Sequence, residues 1–435
     1  MTLDRRDFLK VAGAGAGVLL GARPAAASGK AALQSSPDVV VIGAGAFGGW
    51  TAFWLRRLGA NVTLVDAYGP GNSRATSGDE TRGVRSSYGD RAYPELWVRW
   101  AREAMARWKA FDEEWGRAMK VRLYFTTGDL IFRQADEPFT QRAREWWDTL
   151  GVPYQALSPD DVVRDLSGVI ALKDINVVLY EPDAGVVRAR RACEVVAETF
   201  RQQGGAVTIG TAVREDREGD RLAGLQLSAP SSYVRAATYV FALGPWFPKY
   251  WPALMGDRIR TPMGFVHYFG TPPGDDRFTI PNMPSWNFPG VTGWPALPVD
   301  NRGFRVRWRG ERLFDPDVSQ RAFDRRYDRL ARRLLEERFP LLRRAPVLET
   351  RACHYEISAS RNFIIDRHPQ MENVWIAGGG SAEGFKFGPM VGEYVARRVL
   401  GKEGDPDVAE SFSLKLSDPA PATPSPAMSP RPDRR

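Results

Sequence analysis

Cysteine and histidine are nearly missing from this chain, which has two of the first and three of the second. Cys193 and Cys353 allow at most one disulfide, so no disulfide framework supports the fold. His267, His354 and His368 stand far apart without ligand-like spacing, which argues against a metal site. No segment is long and apolar enough to span a bilayer, and the apolar stretch Val11 to Ala22 is too short to do so. No run of Lys and Arg is interleaved with aromatics along one face. The formal charge of +8 therefore reads as an arginine-biased, solvated surface and not as a nucleic-acid footprint. A small anionic substrate suits that charge better. The apolar content of 43% leaves room for two domains with substantial cores.

The N-terminus carries Arg5-Arg6, then Phe8-Leu9-Lys10, a short Gly/Ala/Leu stretch and an Ala-x-Ala exit at Ala25 to Ala27. It resembles a twin-arginine export signal over residues 1–27, as against a frayed amphipathic helix. That resemblance implies the twin-arginine export machinery as a partner and a periplasmic or secreted location. It also implies passage as a folded protein, with any cofactor already loaded. At the other end, 417–435 is Pro/Ala/Ser-rich and is expected to be disordered.

Between these ends lies "SPDVVVIGAGAFGGWTAFWLRRLGANVTLVDAYG". Val39 to Ile42 is the unbroken apolar run of a parallel strand covered on both faces. Gly43, Gly45 and Gly48 follow as G-x-G-x-x-G. The first allows a tight bend, the second close approach to a pyrophosphate, the third close helix–strand packing. A helix from Phe47 to Leu58 offers its first N–H groups to phosphate oxygens. Asp66 ends the next strand, where a carboxylate suits a ribose.

Further on, "VRLYFTTGDLIFR" reads as a hairpin, Cys193 as a small core side chain on a half-buried helix, and Val207 to Val213 as a strand. "YVFALGPW" reads as a strand meeting a turn at Gly244-Pro245. The stretch from Arg258 to Arg309 suggests a twisted sheet, in which Trp286, Phe288, Trp294 and Trp308 are each either pocket wall or ordinary core. The fold class is α/β (α+β). A Rossmann-like nucleotide domain is assembled from 36–115, 181–250 and 346–404. A mixed or antiparallel-sheet substrate domain, 116–180 and 251–345, is inserted between those segments.

The stretches "DAYGPGNSRATSGDETRGVRSSYGD", "FALGPW" and "FIIDRHPQMENVWIAGGGSAEGFKFGPMVGEYVARRVL" resemble the D-amino-acid-oxidase-like FAD-dependent oxidoreductases. The similarity is greatest to the monomeric sarcosine oxidase and N-methyl amino acid oxidase branch. It implies FAD as cofactor, with its dinucleotide part against Gly43, Gly45, Ala46, Phe47, Gly48, Asp66, Ala67, Val213, Gly244 and Trp246. The flavin would meet Thr76, Ser77, Arg82, Gly379, Gly380, Gly384 and Lys386. In that branch a cysteine before "FIID…HP" is thioether-linked to the flavin 8-methyl, and Cys353 stands at the matching place. Read from its strand alone, Cys353 is a buried structural thiol. Alternation along that strand puts it on one face with Tyr355 and Ile357, and His354 with Glu356 on the other. The resemblance further implies that Arg85 and Lys386 clamp a substrate carboxylate and that Arg82 tunes the flavin.

Departures accompany these matches. Ser77 and Gly78 replace family histidines. Arg305 stands where the family has a lysine credited with activating oxygen, and an arginine cannot donate a proton near neutral pH. A tyrosine on the neighbouring strand is replaced by Val291 or Thr292. The implied activity is oxidation of the C–N bond of an amino acid, preferably a secondary amine such as an N-alkyl or cyclic imino acid. Oxygen is the acceptor, giving peroxide, with Arg82, Lys386 and Arg305 in catalytic roles. The alternatives are a dehydrogenase passing electrons to a quinone or carrier protein, and a flavin-binding protein without turnover. A nicotinamide enzyme is more remote.

Overall fold

The computed structural model describes residues 38–415, apart from 229–231, 299–301, 319–320, 322 and 403–405. The expected export signal and C-terminal tail lie outside the described residues.

Strand β1 (Val39–Ile42) is buried at every position. It lies between two parallel neighbours, β2 (Val62–Asp66) and Thr238–Phe241, which explains its uninterrupted apolar sequence. Helix α1 (Ala46–Arg57) leaves β1 through the glycine turn. Gly43 has φ of 104°, and a Cβ there would lie 2.3 Å from the Ala242 carbonyl oxygen. A Cβ on Gly48 would lie 1.8 Å from the Gly43 carbonyl oxygen, so helix and turn pack at backbone contact. The sheet runs Ile364–His368, Met371–Gly378, Thr238–Phe241, β1, β2, Ala206–Ile209. Only the Ile364–His368 edge is antiparallel to its neighbour. Near the C-terminus, α2 (Gly388–Val399) returns to α1, where a Cβ on Gly392 would lie 2.5 Å from Trp50 backbone carbon. The nucleotide unit is thus closed by sequence segments more than 300 residues apart.

The second sheet has eight strands, of which four shape the site: β3 (Pro262–Phe269), β4 (Val291–Trp294), β5 (Phe304–Leu313) and β6 (Val347–His354). Its order is β6, β3, β5, β4, Ser285–Phe288, Asp129–Arg133, Val177–Glu181, Gln155–Leu157. Three sequence expectations are corrected. β6 belongs to this sheet and not to the nucleotide segment 346–404, because the corresponding edge of the parallel sheet is occupied by Ile364–His368. The expected hairpin "VRLYFTTGDLIFR" does not pair with itself. Tyr124–Thr126 joins a small sheet with Arg82–Val84 and Gly185–Val187, while Asp129–Arg133 joins the eight-stranded sheet. The strand expected over Val207 to Val213 breaks at Gly210 into Ala206–Ile209 and Ala212–Glu218, which enter different sheets.

Alternation on β5 decides what faces what. Phe304 and Val306 enter a core with Trp286, Phe288, Phe339 and Leu335, and Trp308 packs against it. Fully burying one such side chain stabilises a fold by roughly 1.5–3 kcal/mol. Arg305, Arg307 and Arg309 consequently project from the opposite face. Their cross-strand partners there include Trp294 beside Arg305, Thr292 beside Arg307 and Gly264 beside Arg309.

Candidate active site

One cavity is lined by residues of both sheets. At one end it is walled by Gly43, Gly45, Ala46, Phe47, Asp66, Ala67, Gly244 and Trp246. At the other it meets Cys353, Glu356, Gly380, Gly384, Lys386, Arg82, Arg85 and the β5 arginines.

The glycine-turn end is a cradle of backbone groups. Asp66 accepts from the N–H groups of Ala44 at 2.7 Å, Tyr68 at 2.9 Å and Gly69 at 2.8 Å. Burial raises its pKa, and those three hydrogen bonds oppose the rise. The Ala46 N–H donates to Ser77 Oγ at 3.0 Å, which ties the start of α1 to the 76–78 turn. Trp246 donates to Asp317 at 2.6 Å.

The other end is dominated by cations sharing two buried carboxylates. Arg82 and Arg305 both donate to Asp79, Arg305 at 3.0 Å. Burial opposes ionisation of Asp79, yet Arg82 and Arg305 hold its pKa well below the usual carboxylate range. Arg305 is fully buried and stacks 3.8 Å above Trp294, whose indole N–H donates to Thr81 at 2.8 Å. Glu383 takes Lys386 at 2.7 Å, Arg309 at 3.0 Å and the Tyr88 hydroxyl at 2.8 Å. Its pKa is lowered despite burial, by Lys386 first and then Arg85 and Arg309. Burial pushes Lys386 down to about 8, against the pull of Glu383. Arg85 lines the same cavity and makes no ion pair or hydrogen bond among the described residues. Burial works against its charge, but Tyr88, Glu383, Asp129 and Glu181 together raise its pKa.

These residues fit an FAD. A Gly-x-Gly turn and a strand-end carboxylate stand at one end of the cavity, and a Gly-rich loop stands at the other. Several polar atoms of cavity residues are buried without a partner: Thr76 Oγ1, Glu356 Oε2, Arg305 Nε and Nη1, and both ring nitrogens of His354. A buried polar group is ordinarily satisfied, so such a set marks a place where a ligand completes the bonding. Burial holds Glu356 up at about 7 and His354 down at about 4.

Residues 38–398 match the FAD dependent oxidoreductase (DAO) family, and the chain belongs to that family. It is an FAD-dependent oxidoreductase. The monomeric sarcosine oxidase of Bacillus sp. (strain B-0618) is 26% identical over 86% of this chain and 94% of that protein. N-methyl-L-tryptophan oxidase of Yersinia pestis (strain Pestoides F) is 23% identical over 87% of this chain and 98% of its own. L-proline dehydrogenase from P.horikoshii shares the fold, with a TM-score of 0.72, 21% identity, and coverage of 87% of this chain and 99% of that one.

Most residues implied by the sequence come together in the cavity: Gly43, Gly45, Ala46, Phe47, Asp66, Ala67, Thr76, Ser77, Arg82, Arg85, Gly244, Trp246, Arg305, Cys353, Gly380, Gly384 and Lys386. Gly48 and Gly379 stand behind the walls as packing and turn residues. Val213 is a correction. It is 57% exposed on its separate strand, and Gly210, Thr211 and Ala212 take the wall position instead. The expected face pairing at Cys353 fails beyond His354, where β6 ends, so Tyr355 and Glu356 both reach the cavity. Lys386, expected to meet a substrate carboxylate, donates to Glu383. Thr292 faces the cavity, whereas Val291 enters the core. Among the four aromatics left open, Trp294 is wall and Trp286, Phe288 and Trp308 pack in or against the core. Cys193 and Cys353 are both free thiols. Among the described residues no cluster of His, Cys, Asp or Glu suits a metal, and no helix is long and apolar enough to cross a membrane.

Sequence reading missed Arg307, Arg309, Asp79 and Glu383. The first two were visible as the alternation Arg305-x-Arg307-x-Arg309. Each carboxylate also has a cation three residues on, Arg82 after Asp79 and Lys386 after Glu383, which was a local signal; only their second partners, Arg305 and Arg309, are distant in sequence.

Proposed function

We propose that this enzyme oxidises the C–N bond of an amino acid, preferably a secondary amine, to an imine that water hydrolyses. The observation that carries the reading is Arg85. It is a cation with no direct ion pair or hydrogen bond among the described residues, and it lines the cavity that the glycine loop expected to meet the flavin also lines. A guanidinium in that setting favours a planar carboxylate through paired, charge-assisted hydrogen bonds. Fixing the carboxylate orients the neighbouring carbon, which is chiefly a positioning effect. Bound FAD supplies the two-electron acceptor. Glu383 gathers Lys386, Arg309 and Tyr88 into one network and leaves Arg85 for the ligand. Arg82 and Arg305, locked onto Asp79, set a positive field along the same wall. Sarcosine oxidase and N-methyl-L-tryptophan oxidase among the relatives support a secondary amine as substrate.

Oxygen is the proposed acceptor. A quinone or carrier protein is the second reading, favoured by the buried Arg305 in place of a proton-donating lysine. FAD is proposed to be covalently held by Cys353, and the chain to be exported by the twin-arginine pathway. Anaerobic mixing with N-methyl amino acids and cyclic imino acids tests the main reading. Flavin bleaching is expected with at least one, and the reading fails if none reduces the flavin.

A further inference from the structure

The three β5 arginines are not equivalent. Arg305 is paired with Asp79 and Arg309 with Glu383, each at 3.0 Å. Arg307, between them, forms no ion pair or hydrogen bond among the described residues, although it lines the cavity. Its guanidinium carbon lies 5.3 Å from the Tyr355 ring centroid. Its Nη2 would be 3.1 Å from a Cβ built on Gly264, so the side chain lies across β3, where the glycine leaves room for it. Gly264 is the cross-strand partner of Cys353, which puts Arg307 at the Cys353 end of the cavity, away from the glycine turn. Burial pushes its pKa down to about 10, with Tyr355 opposing and Arg309, Arg82 and Arg305 adding to the drop. A cation buried beside other cations without an anion is costly, and a ligand carrying an anion relieves that cost.

Arg85 and Arg307 are therefore two guanidinium groups without a direct carboxylate contact among the described residues, in one cavity whose other arginines already hold carboxylates. We propose that Arg307 forms a second anion subsite and that the substrate is a dianion. Its class is a secondary amine bearing two carboxylates, such as an N-carboxyalkyl amino acid or an N-alkyl acidic amino acid. One carboxylate rests on Arg85 and the other on Arg307. This rests on the reading of the site as an amino acid oxidising centre, but the subsite itself can be tested without turnover.

Holoenzyme is titrated at fixed ionic strength with malonate, succinate, glutarate and adipate, and with monocarboxylates of the same chain length. Flavin absorbance or heat reports binding. The best dianion should bind about tenfold or more tightly than its monoanion, as expected for a second charge-assisted contact. Arg307→Met should abolish that preference and leave monoanion affinity within about twofold, and Arg307→Lys should keep part of it. Unaltered flavin absorbance and circular dichroism show that the variants are folded. Equal affinities in the wild type, or a preference that survives Arg307→Met, would overturn the proposal. Iminodiacetate and sarcosine are then compared for anaerobic flavin reduction. Faster reduction by iminodiacetate, lost in Arg307→Met, supports the dianion substrate. Faster reduction by sarcosine overturns it while leaving amine oxidation intact. Bleaching by neither, nor by any other N-alkyl or cyclic imino acid, alongside a persistent dianion preference, sinks amine oxidation and leaves the subsite standing.

Discussion

The Arg82 guanidinium donates to the sulfur of Cys353 at 3.2 Å, while the same group holds Asp79 and the Thr76 carbonyl. The contact holds the sulfur, the nucleophile a thioether link requires, in a fixed position beside Arg82. If Cys353 links to FAD, acid-precipitated wild-type protein retains the yellow colour in the pellet. Cys353→Ser should leave all of it in the supernatant. Arg82→Met should slow attachment on the order of tenfold when apoprotein is mixed with FAD, a rise of about 1.4 kcal/mol in the activation free energy. Colour that leaves the wild-type pellet refutes the link.

Arg305 bears on the acceptor. Its guanidinium is pinned between Asp79 and the face of Trp294, and it cannot hand over a proton near neutral pH. Arg305→Lys keeps the charge and introduces a group that can. Stopped-flow reoxidation of the reduced variant by oxygen should be faster than wild type by roughly tenfold or more. Fast wild-type reoxidation by a quinone with slow reaction toward air would identify the dehydrogenase reading. Equal oxygen rates for wild type and variant would remove Arg305 from the argument.

Variants of Arg85 and Lys386 separate the duties of the two cations expected to share one carboxylate. Arg85→Met should raise KM by about 100-fold or more, since a buried charge-assisted contact is lost. Lys386→Met should instead lower kcat more than it raises KM, because Lys386 engages Glu383. Lys386 carries its proton below about 8 and gives it up above. The rate in the wild type should therefore fall as pH rises through about 8, and Lys386→Arg should move that fall upward. A profile unchanged by Lys386→Arg would show that another group titrates there.

The nucleotide half was legible because its signals are local. A buried parallel strand, a glycine turn and Asp66 at a strand end all occur within a few dozen residues, and the cavity collects them. What escaped was set by distant partners. Ala212–Glu218 became a separate strand because Arg221–Leu227 pairs with it, which moved Val213 out of the site. The assignment of β6 depended on which sheet edge was vacant, a property of the assembled fold. The partition of Arg82, Arg305, Arg309 and Lys386 between Asp79 and Glu383 required contacts such as Arg305 with Asp79, 226 residues apart. Periodicity alone would have found Arg307 and Arg309, since the face they share with Arg305 is written in alternate positions.

Behind Arg85 lies a last feature with a pH consequence. Asp129 and Glu181 face each other across neighbouring strands, both buried. Burial lifts Asp129 to about 6, against Arg85, Arg133 and Lys386. It lifts Glu181 to about 7, helped by Asp129 and opposed by Ser86 and Arg102. Their folded pKa values exceed the ordinary ones, so the folded state binds more protons than the unfolded state between about 4 and 7. The linked stability is fully present below the ordinary carboxylate range and is lost as pH rises through about 7. Asp79 and Glu383 have the opposite sign and cost stability only at lower pH, where they take up protons. Stability should therefore peak near pH 5 and drop by on the order of 1–3 kcal/mol by pH 8. Glu181→Gln should flatten the slope between those values, because it removes the carboxyl that gives up its proton near pH 7. Urea unfolding at both pH values checks this, and a wild type as stable at pH 8 as at pH 5 would show that the buried pair does not govern the profile.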